Sequence, residues 1–403
     1  MIKTLSRTEQ VIHDEREYVV QTYKRPPFVL VHGDGVQLFD TEGSAYTDWV
    51  AGIAVNALGY NDAGLKAAIS SALDTGVLHV SNLYHTAPHT VLARLLVEAS
   101  FADRAFFCNS GTEANEAAIK FARKVAYKNG ESERRDIVTF TDGFHGRTMG
   151  SLALTPRDKY QKPFAPLMPG VRLASFNDVD SAAAAIDAHT AAVIVEPVQG
   201  EGGINVADPA FLQALRRLCD EHGALLIFDE VQCGVGRTGT LWAHEPAGVT
   251  PDIMTLAKPL AGGLPIGAVL VTEAVAGAME PGDHGSTFAG GPVVASAAIE
   301  VLTRVGTPEF LKHVRQTGAY LIDKLRQLEH PMIEGVRGRG LMVAMQMKAA
   351  VNPIIDAAYA EGLLLVNAGP NVLRFVPPLV IAQAHVDQLV EKLAPILGRV
   401  LHD

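Results

Sequence analysis

The sequence predicts an α/β protein: a large unit with a central, mostly parallel sheet flanked by helices, plus a smaller α+β unit drawn from both chain ends. Three observations carry this reading. Short apolar runs alternate with longer helix-like stretches through the middle of the chain. Several of those runs end abruptly in polar clusters, at the edge where open α/β sheets bind ligands. The two ends also differ from the middle. Residues 28–50 hold short strand-like pieces around turns, and the part after about residue 310 combines a helix, a strand-like Leu341–Met347 and a terminal helix.

Strands are expected at Ala105–Cys108, Asp136–Phe140, Ala192–Val195, Ala224–Phe228, Ile253–Leu256 and Ala268–Val271, all short and apolar. Helices are expected at Glu113–Lys128, Pro209–Glu221, Val293–Val305 and Pro308–Gln327. The first is rich in Ala, Glu and Lys, strong helix formers. Its start, Ser110-Gly-Thr-Glu113, has the spacing of a capping box. The alanine-rich tract Ser181–Ala192 reads as a helix followed by a strand. The expected division is 1–58 packing with the small unit, 59–308 as the large unit and 309–403 as the small one.

A chain of 403 residues with 48% hydrophobic and 19% charged residues can bury a large core. The net charge of -10, without a Lys/Arg run, argues against nucleic acid as a partner. Small anions remain possible, since a few arginines inside a cleft override the global field. The three cysteines form no CxxC pair and suit a reducing compartment, and no ligand-spaced cluster suggests a metal. The first residues lack the apolar segment of a signal peptide, and no apolar run approaches the ~20 residues that span a bilayer. The chain reads as cytoplasmic.

Four predicted strands run into unusual polar clusters: Asn109-Ser-Gly-Thr-Glu113, Thr141-Asp-Gly-Phe-His-Gly-Arg-Thr148, Asp229-Glu-Val-Gln232 and Ala257-Lys258. Four at equivalent ends imply one shared site. Ser110, Gly111 and Thr112 combine close backbone approach with a helix start, which attracts a phosphate; alone, they read equally as a helix cap. Asp229 ends an apolar run, so its carboxylate must be solvated, paired or functional, and a protonated ring nitrogen is a suitable partner. Lys258 sits between an apolar strand and the pinched loop Gly262-Gly263, a setting in which a lysine loses its proton and attacks a carbonyl. Phe144 can stack on a planar ring, and Arg147 can grip a carboxylate with two hydrogen bonds. Ser286 and Thr287 offer hydroxyls to a phosphate. Arg374, inside the apolar Val372–Val376, needs an anion, whether a structural carboxylate or a substrate.

Together these residues resemble the class III aminotransferases of fold type I, most closely the acetylornithine aminotransferases. The match runs from roughly Tyr23 to Pro378, and its strongest segments are Asn109-Ser-Gly-Thr-Glu-Ala-Asn-Glu-Ala117, Phe144-His-Gly-Arg-Thr148, Asp229-Glu-Val-Gln232 with Gly236-Arg-Thr-Gly239, and Ala257-Lys258, to which Val336-Arg-Gly-Arg-Gly-Leu341 and Leu373-Arg-Phe375 add. The resemblance implies pyridoxal 5'-phosphate as cofactor, held by Lys258 as a Schiff base. It implies that Asp229 pairs with the ring nitrogen, Gln232 lies near the ring oxygen, and Val231 and Phe144 border the ring. Ser110, Gly111 and Thr112 would hold the phosphate, with Thr287 reaching it from a partner subunit of a homodimer. Ser286 would meet substrate from the same side. Arg147 would bind the α-carboxylate of an acylated ornithine and Arg374 that of glutamate. Glu201, in Gln199-Gly-Glu-Gly-Gly203, would be the gate that pairs with Arg374 until glutamate displaces it.

The implied reaction is a ping-pong transamination of N2-acetylornithine with 2-oxoglutarate, giving N-acetylglutamate 5-semialdehyde and glutamate, a step of arginine biosynthesis. Succinylornithine, ornithine, 4-aminobutyrate and carrier-linked lysine-biosynthetic donors are the alternatives in the class. Two arginines for two carboxylate-bearing half-reactions speak against an aminomutase or decarboxylase. A regulatory protein that only binds a phosphorylated ligand would need neither Lys258 nor Asp229. The chain departs from the family's pattern at Ala289-Gly-Gly-Pro292, Pro259 and Gly59-Tyr60. Ile53 stands where ornithine aminotransferases tend to have tyrosine, which tilts toward an acylated donor.

Overall fold

The structure, a computed structural model, describes residues 5–400. Residues 1–4 and 401–403, the extremities of the two outer segments and part of the stretch read for a signal peptide, lie outside the described residues. Seven strands form the central sheet: β1 (Arg104–Cys108), β2 (Asp136–Phe140), β3 (Val171–Ala174), β4 (Thr190–Val195), β5 (Leu225–Asp229), β6 (Ile253–Leu256) and β7 (Gly267–Val271). Their order is β1-β7-β6-β5-β4-β2-β3. β7 is antiparallel to both neighbours, and every other pairing is parallel. The carboxyl ends of the parallel strands therefore share one edge. All six residues of β4 are buried, as expected of a strand covered by helices on both faces.

Helices α1 (Gly111–Lys128), α2 (Pro209–His222), α3 (Pro292–Val305) and α4 (Pro308–Arg326) match the expected ones within two residues at either end. One detail differs. Ser110 caps α1 by accepting from the Glu113 amide at 3.3 Å, but the Glu113 carboxylate reaches past Ser110 to the Asn109 amide at 2.5 Å. The capping box is thus half formed, and its other half ties the preceding loop. β5 also lies one residue later than expected, so Asp229 belongs to the strand and sits beside Thr255 of β6.

Outside the central sheet, Leu30–Asp34, Gln37–Asp40 and Ala45–Asp48 form an antiparallel meander, and Leu363–Leu364 joins Ala45–Asp48 in parallel. The first and last parts of the chain thus share a sheet. A second four-stranded, antiparallel sheet holds Ile333–Arg339, Met342–Met347, Val372–Phe375 and Val366–Asn367, and it carries Arg374. A small hairpin, Val198–Gln199 with Asn205–Val206, follows β4. The helix Arg7–Tyr18 was not visible in the apolar pattern because it buries no residue; Ser6 and Glu9 close a full capping box at its start. Among the described residues, no helix is long and apolar enough to cross a membrane.

Candidate active site

A cavity of about 230 Å³ opens beyond the carboxyl ends of the parallel strands, and Gly111, Thr112, Phe144, Arg147, Asp229, Val231, Gln232 and Lys258 line it. Four stretches far apart in sequence converge there because the strands preceding them run in one direction. At the start of α1, Thr112 Oγ1 accepts from the Arg147 and Thr148 amides at 3.2 and 3.3 Å. Gly146 permits this approach: its φ is +135°, and a Cβ there would lie 2.2 Å from Thr112 Oγ1. Helix start and phenylalanine loop thereby form one cradle, with the α1 amides available to a dianion.

Asp229 is buried, and its carboxylate is held from three sides. Oδ2 accepts from His145 Nδ1 at 2.7 Å and Asn115 Nδ2 at 2.8 Å, while Oδ1 accepts from the Val231 amide at 3.0 Å. Asn115 is itself fixed by Thr255 Oγ1, which donates to its Oδ1 at 2.8 Å. Oδ1 keeps capacity for one further donor, so the carboxylate is oriented toward a single partner. Burial disfavours a charged His145, but the hydrogen bond and charge of Asp229 override it and raise the imidazole above its ordinary range. His145, Asn115 and Thr255 lie within segments the sequence marks, but none of them was singled out there as a site residue.

Lys258 opens a short 3-10 turn, Lys258–Ala261. Pro259 fits there because the first turn of a helix needs no N–H from it. Burial depresses the lysine's proton affinity; Glu201 pulls the other way and Arg374 adds to the burial effect. Its proton is therefore held less tightly than that of a surface ammonium.

Glu196 also lines the cavity and was missed, although β4 runs straight into it just as the other strands run into their clusters. Its carboxylate accepts from the Phe144 amide at 2.9 Å and the Gly200 amide at 3.0 Å. Burial raises it to about 7; His145 opposes that shift and Asp229 adds to it. A carboxyl raised in the fold contributes stability that is complete below the ordinary 4.5 and lost as pH rises through about 7. Raised His145 acts with the same sign above its own reference value of 6.5. Glu196→Gln is therefore expected to flatten the fall of thermal midpoint between about pH 5 and 8, measured by melting. An equally steep profile in the variant would rule this origin out.

Behind Gln232, Arg374 is 1% exposed, and its Nη1 donates to Glu201 Oε1 at 2.6 Å, Gly200 O at 2.9 Å and Gln232 Oε1 at 3.1 Å. Its Nε is buried without a partner. Gln232 Nε2 in turn donates to Glu201 Oε1 at 3.2 Å. Burial alone would raise Glu201, but Arg374 and then Lys258 hold it down at about 2. Arg147, by contrast, is exposed and lies 3.7 Å over the Tyr160 ring and 5.6 Å from that of Phe144. Tyr160, which steadies it, was also missed.

Two expected residues lie elsewhere on the chain's own surface. Ser286 Oγ accepts from Asn109 Nδ2 at 2.9 Å, and Thr287 lines a separate small hollow with His79 and Asn82. Ile53 falls in a turn of left-handed backbone, with φ of 52° to 65° from Ala51 to Ala54. Among the described residues, no cluster of three or more His, Cys, Asp or Glu could hold a metal.

An open α/β sheet that directs a depressed lysine, a tethered carboxylate and a helix start into one cavity defines a pyridoxal-phosphate enzyme. The aldehyde, the ring nitrogen and the phosphate of that cofactor each find a complementary group in this set. The class III aminotransferase profile matches residues 18–397, and the chain belongs to that family. It is a pyridoxal 5'-phosphate-dependent aminotransferase. It is 50% identical to the mitochondrial acetylornithine aminotransferase of Alnus glutinosa, over 99% of this chain and 89% of that one. It is 46% identical to the acetylornithine aminotransferase of Methanocaldococcus jannaschii, over 97% and 99%. The crystal structure of the ornithine aminotransferase from Toxoplasma gondii ME49 superposes with a TM-score of 0.94 at 31% identity, covering 98% of this chain and 96% of that one.

Proposed function

We propose that the chain transfers the terminal amine of N2-acetylornithine to 2-oxoglutarate, yielding N-acetylglutamate 5-semialdehyde and glutamate in arginine biosynthesis. The observation that carries this is a pair of unlike arginines: Arg147 exposed at the cavity's edge, and Arg374 buried behind Gln232, which lines the cavity, and masked by Glu201. A donor whose reacting carbon bears no carboxylate needs only Arg147, and Glu201 keeps Arg374 neutralised. Glutamate carries a carboxylate at the reacting carbon and takes the place of Glu201 on Arg374. The identities of 50% and 46% to acetylornithine aminotransferases support the acylated donor.

The bound cofactor supplies an aldehyde that captures amines and a ring that takes up the electron pair left when a C–H bond breaks. The remaining roles fall to the chain. Ser110, Gly111 and Thr112 would hold the phosphate, Phe144 and Val231 would border the ring, and Gln232 would serve its oxygen. Asp229 keeps the ring nitrogen protonated. Lys258 Nζ is the base that would take the proton from the amine-bearing carbon and return it on the cofactor side.

The assembly in this reading is a homodimer in which Thr287 and Ser286 serve the partner's site. In support, Leu78, Leu83, Tyr84 and Phe288 are exposed, and a groove of about 720 Å³ lined by Val77, Val80 and Ile299 lies among them. Asn82 donates to the Ser286 carbonyl at 3.0 Å, so both hydroxyl residues sit on that apolar face. Three free, buried cysteines suit the cytoplasm as the compartment.

The test is steady-state turnover with N2-acetylornithine, N2-succinylornithine, ornithine and 4-aminobutyrate, each against 2-oxoglutarate. N2-acetylornithine is expected to give the highest kcat/KM. A higher value for ornithine or 4-aminobutyrate would refute the assignment.

A further inference from the structure

Glu201 sits at the tip of the small hairpin, in Gly200-Glu201-Gly202-Gly203, a segment that composition alone would suggest is flexible. Its surroundings are the opposite of loose. Each of the four carbonyls is taken by a side chain. Arg374 Nη1 donates to Gly200 O at 2.9 Å, Arg157 Nη2 to Glu201 O at 2.6 Å, Asn205 Nδ2 to Gly202 O at 2.9 Å and Arg337 Nε to Gly203 O at 2.9 Å. Glu196 accepts the Gly200 amide. The glycines are there for closeness. A Cβ on Gly200 would lie 2.4 Å from the Gln232 amide carbon, and one on Gly202 would lie 2.2 Å from the Asp142 carbonyl oxygen. Arg337 is in turn anchored, with both Nη atoms 3.2 Å from Gln346 Oε1 on the neighbouring strand.

We propose that Arg157 and Arg337 are positioning residues that clamp the hairpin backbone at Glu201 itself and at Gly203, so that only the Glu201 side chain moves and the choice between the two substrates becomes a rotamer choice. This rests on the reading of Glu201 as the gate over Arg374. The physical consequence concerns where the ordering cost falls. Fixing a backbone residue is costly, and a clamped tip meets that cost on folding. Without the clamp, the cost reappears each time Glu201 closes on Arg374, and the closed state is less populated. The closed state is the one that accepts a donor with no carboxylate at its reacting carbon. Charge-assisted bonds from planar guanidiniums suit the task, since each holds a carbonyl in a fixed direction.

The experiment follows the two half-reactions separately by cofactor absorbance in the holoenzyme, with N2-acetylornithine and with glutamate. Wild type, R157A, R337A, R157K, E201A and E201A/R157A are compared. In R157A and in R337A, the ratio of kcat/KM for N2-acetylornithine to that for glutamate should fall about tenfold, the glutamate half-reaction staying within about threefold of wild type. R157K, which retains charge and a donor, should recover most of the ratio. In the E201A background, removing Arg157 should change the ratio no further. Equal losses in both half-reactions, or an unchanged ratio in R157A and R337A while E201A shifts it, would overturn the clamp and leave the gate standing. An additional tenfold fall in E201A/R157A would also overturn it, since Arg157 would then act without Glu201. An unchanged ratio in E201A itself would remove the gate and the clamp together.

Discussion

Lys258→Ala is expected to lower turnover by more than about 10⁴-fold, because one amine serves as both covalent anchor and proton carrier. The rest of the cradle is untouched by this change: the α1 start, Asp229 and Phe144 are positioned by bonds that do not involve Lys258. The variant should therefore still bind the cofactor, with an absorbance that no longer reports attachment to the protein. Added methylamine, a small base that can enter the vacated space, should restore part of the rate. Stopped-flow and steady-state measurements decide the matter. Turnover within tenfold of wild type would mean that another group moves the proton.

Asp229→Asn should cost about 10²–10³-fold in kcat, with a smaller loss of cofactor affinity. The direction follows from the donors around the carboxylate. His145 Nδ1 and Asn115 Nδ2 both point at Oδ2, so the carbonyl of an asparagine must turn toward them. Its NH₂ then faces the Val231 amide and the remaining open direction, where a protonated ring nitrogen would meet a donor instead of an acceptor. The nitrogen loses its proton, the ring withdraws electrons less strongly, and C–H cleavage becomes slower. A deuterium at the reacting carbon should consequently slow the variant more than the wild type. An unchanged isotope effect with normal kcat would show that the carboxylate does not govern this step.

Much of the frame was legible because it depends on local pattern. Buried parallel strands are short and apolar, and polar residues at their ends mark one edge, so Asp229 and Lys258 could be singled out from neighbours alone. Glu196 carried the same signal after β4 and was passed over. His145 lay inside a cluster already noted, but its bond to Asp229 joins residues 84 positions apart and has no counterpart in spacing. Asn115 and Thr255 lie inside a helix and a strand, where a polar residue usually means only a tolerated position. The hairpin clamp was equally hidden. Arg157 comes from a loop and Arg337 and Arg374 from two different strands, and nothing in their local context says that all three reach the same four-residue tip. The antiparallel direction of β7 escaped for the same reason, since strand direction follows from the path of the connection and not from the strand's own residues.

The parallel pairing of Ala45–Asp48 with Leu363–Leu364 has a consequence for how the molecule is made. During synthesis, the opening meander must wait for more than three hundred further residues before its last partner leaves the ribosome. The early strands keep an unsatisfied edge throughout that interval. Completion is thus an event that follows translation, and a nascent chain halted before Leu363 should stay sensitive to protease at its amino-terminal segment.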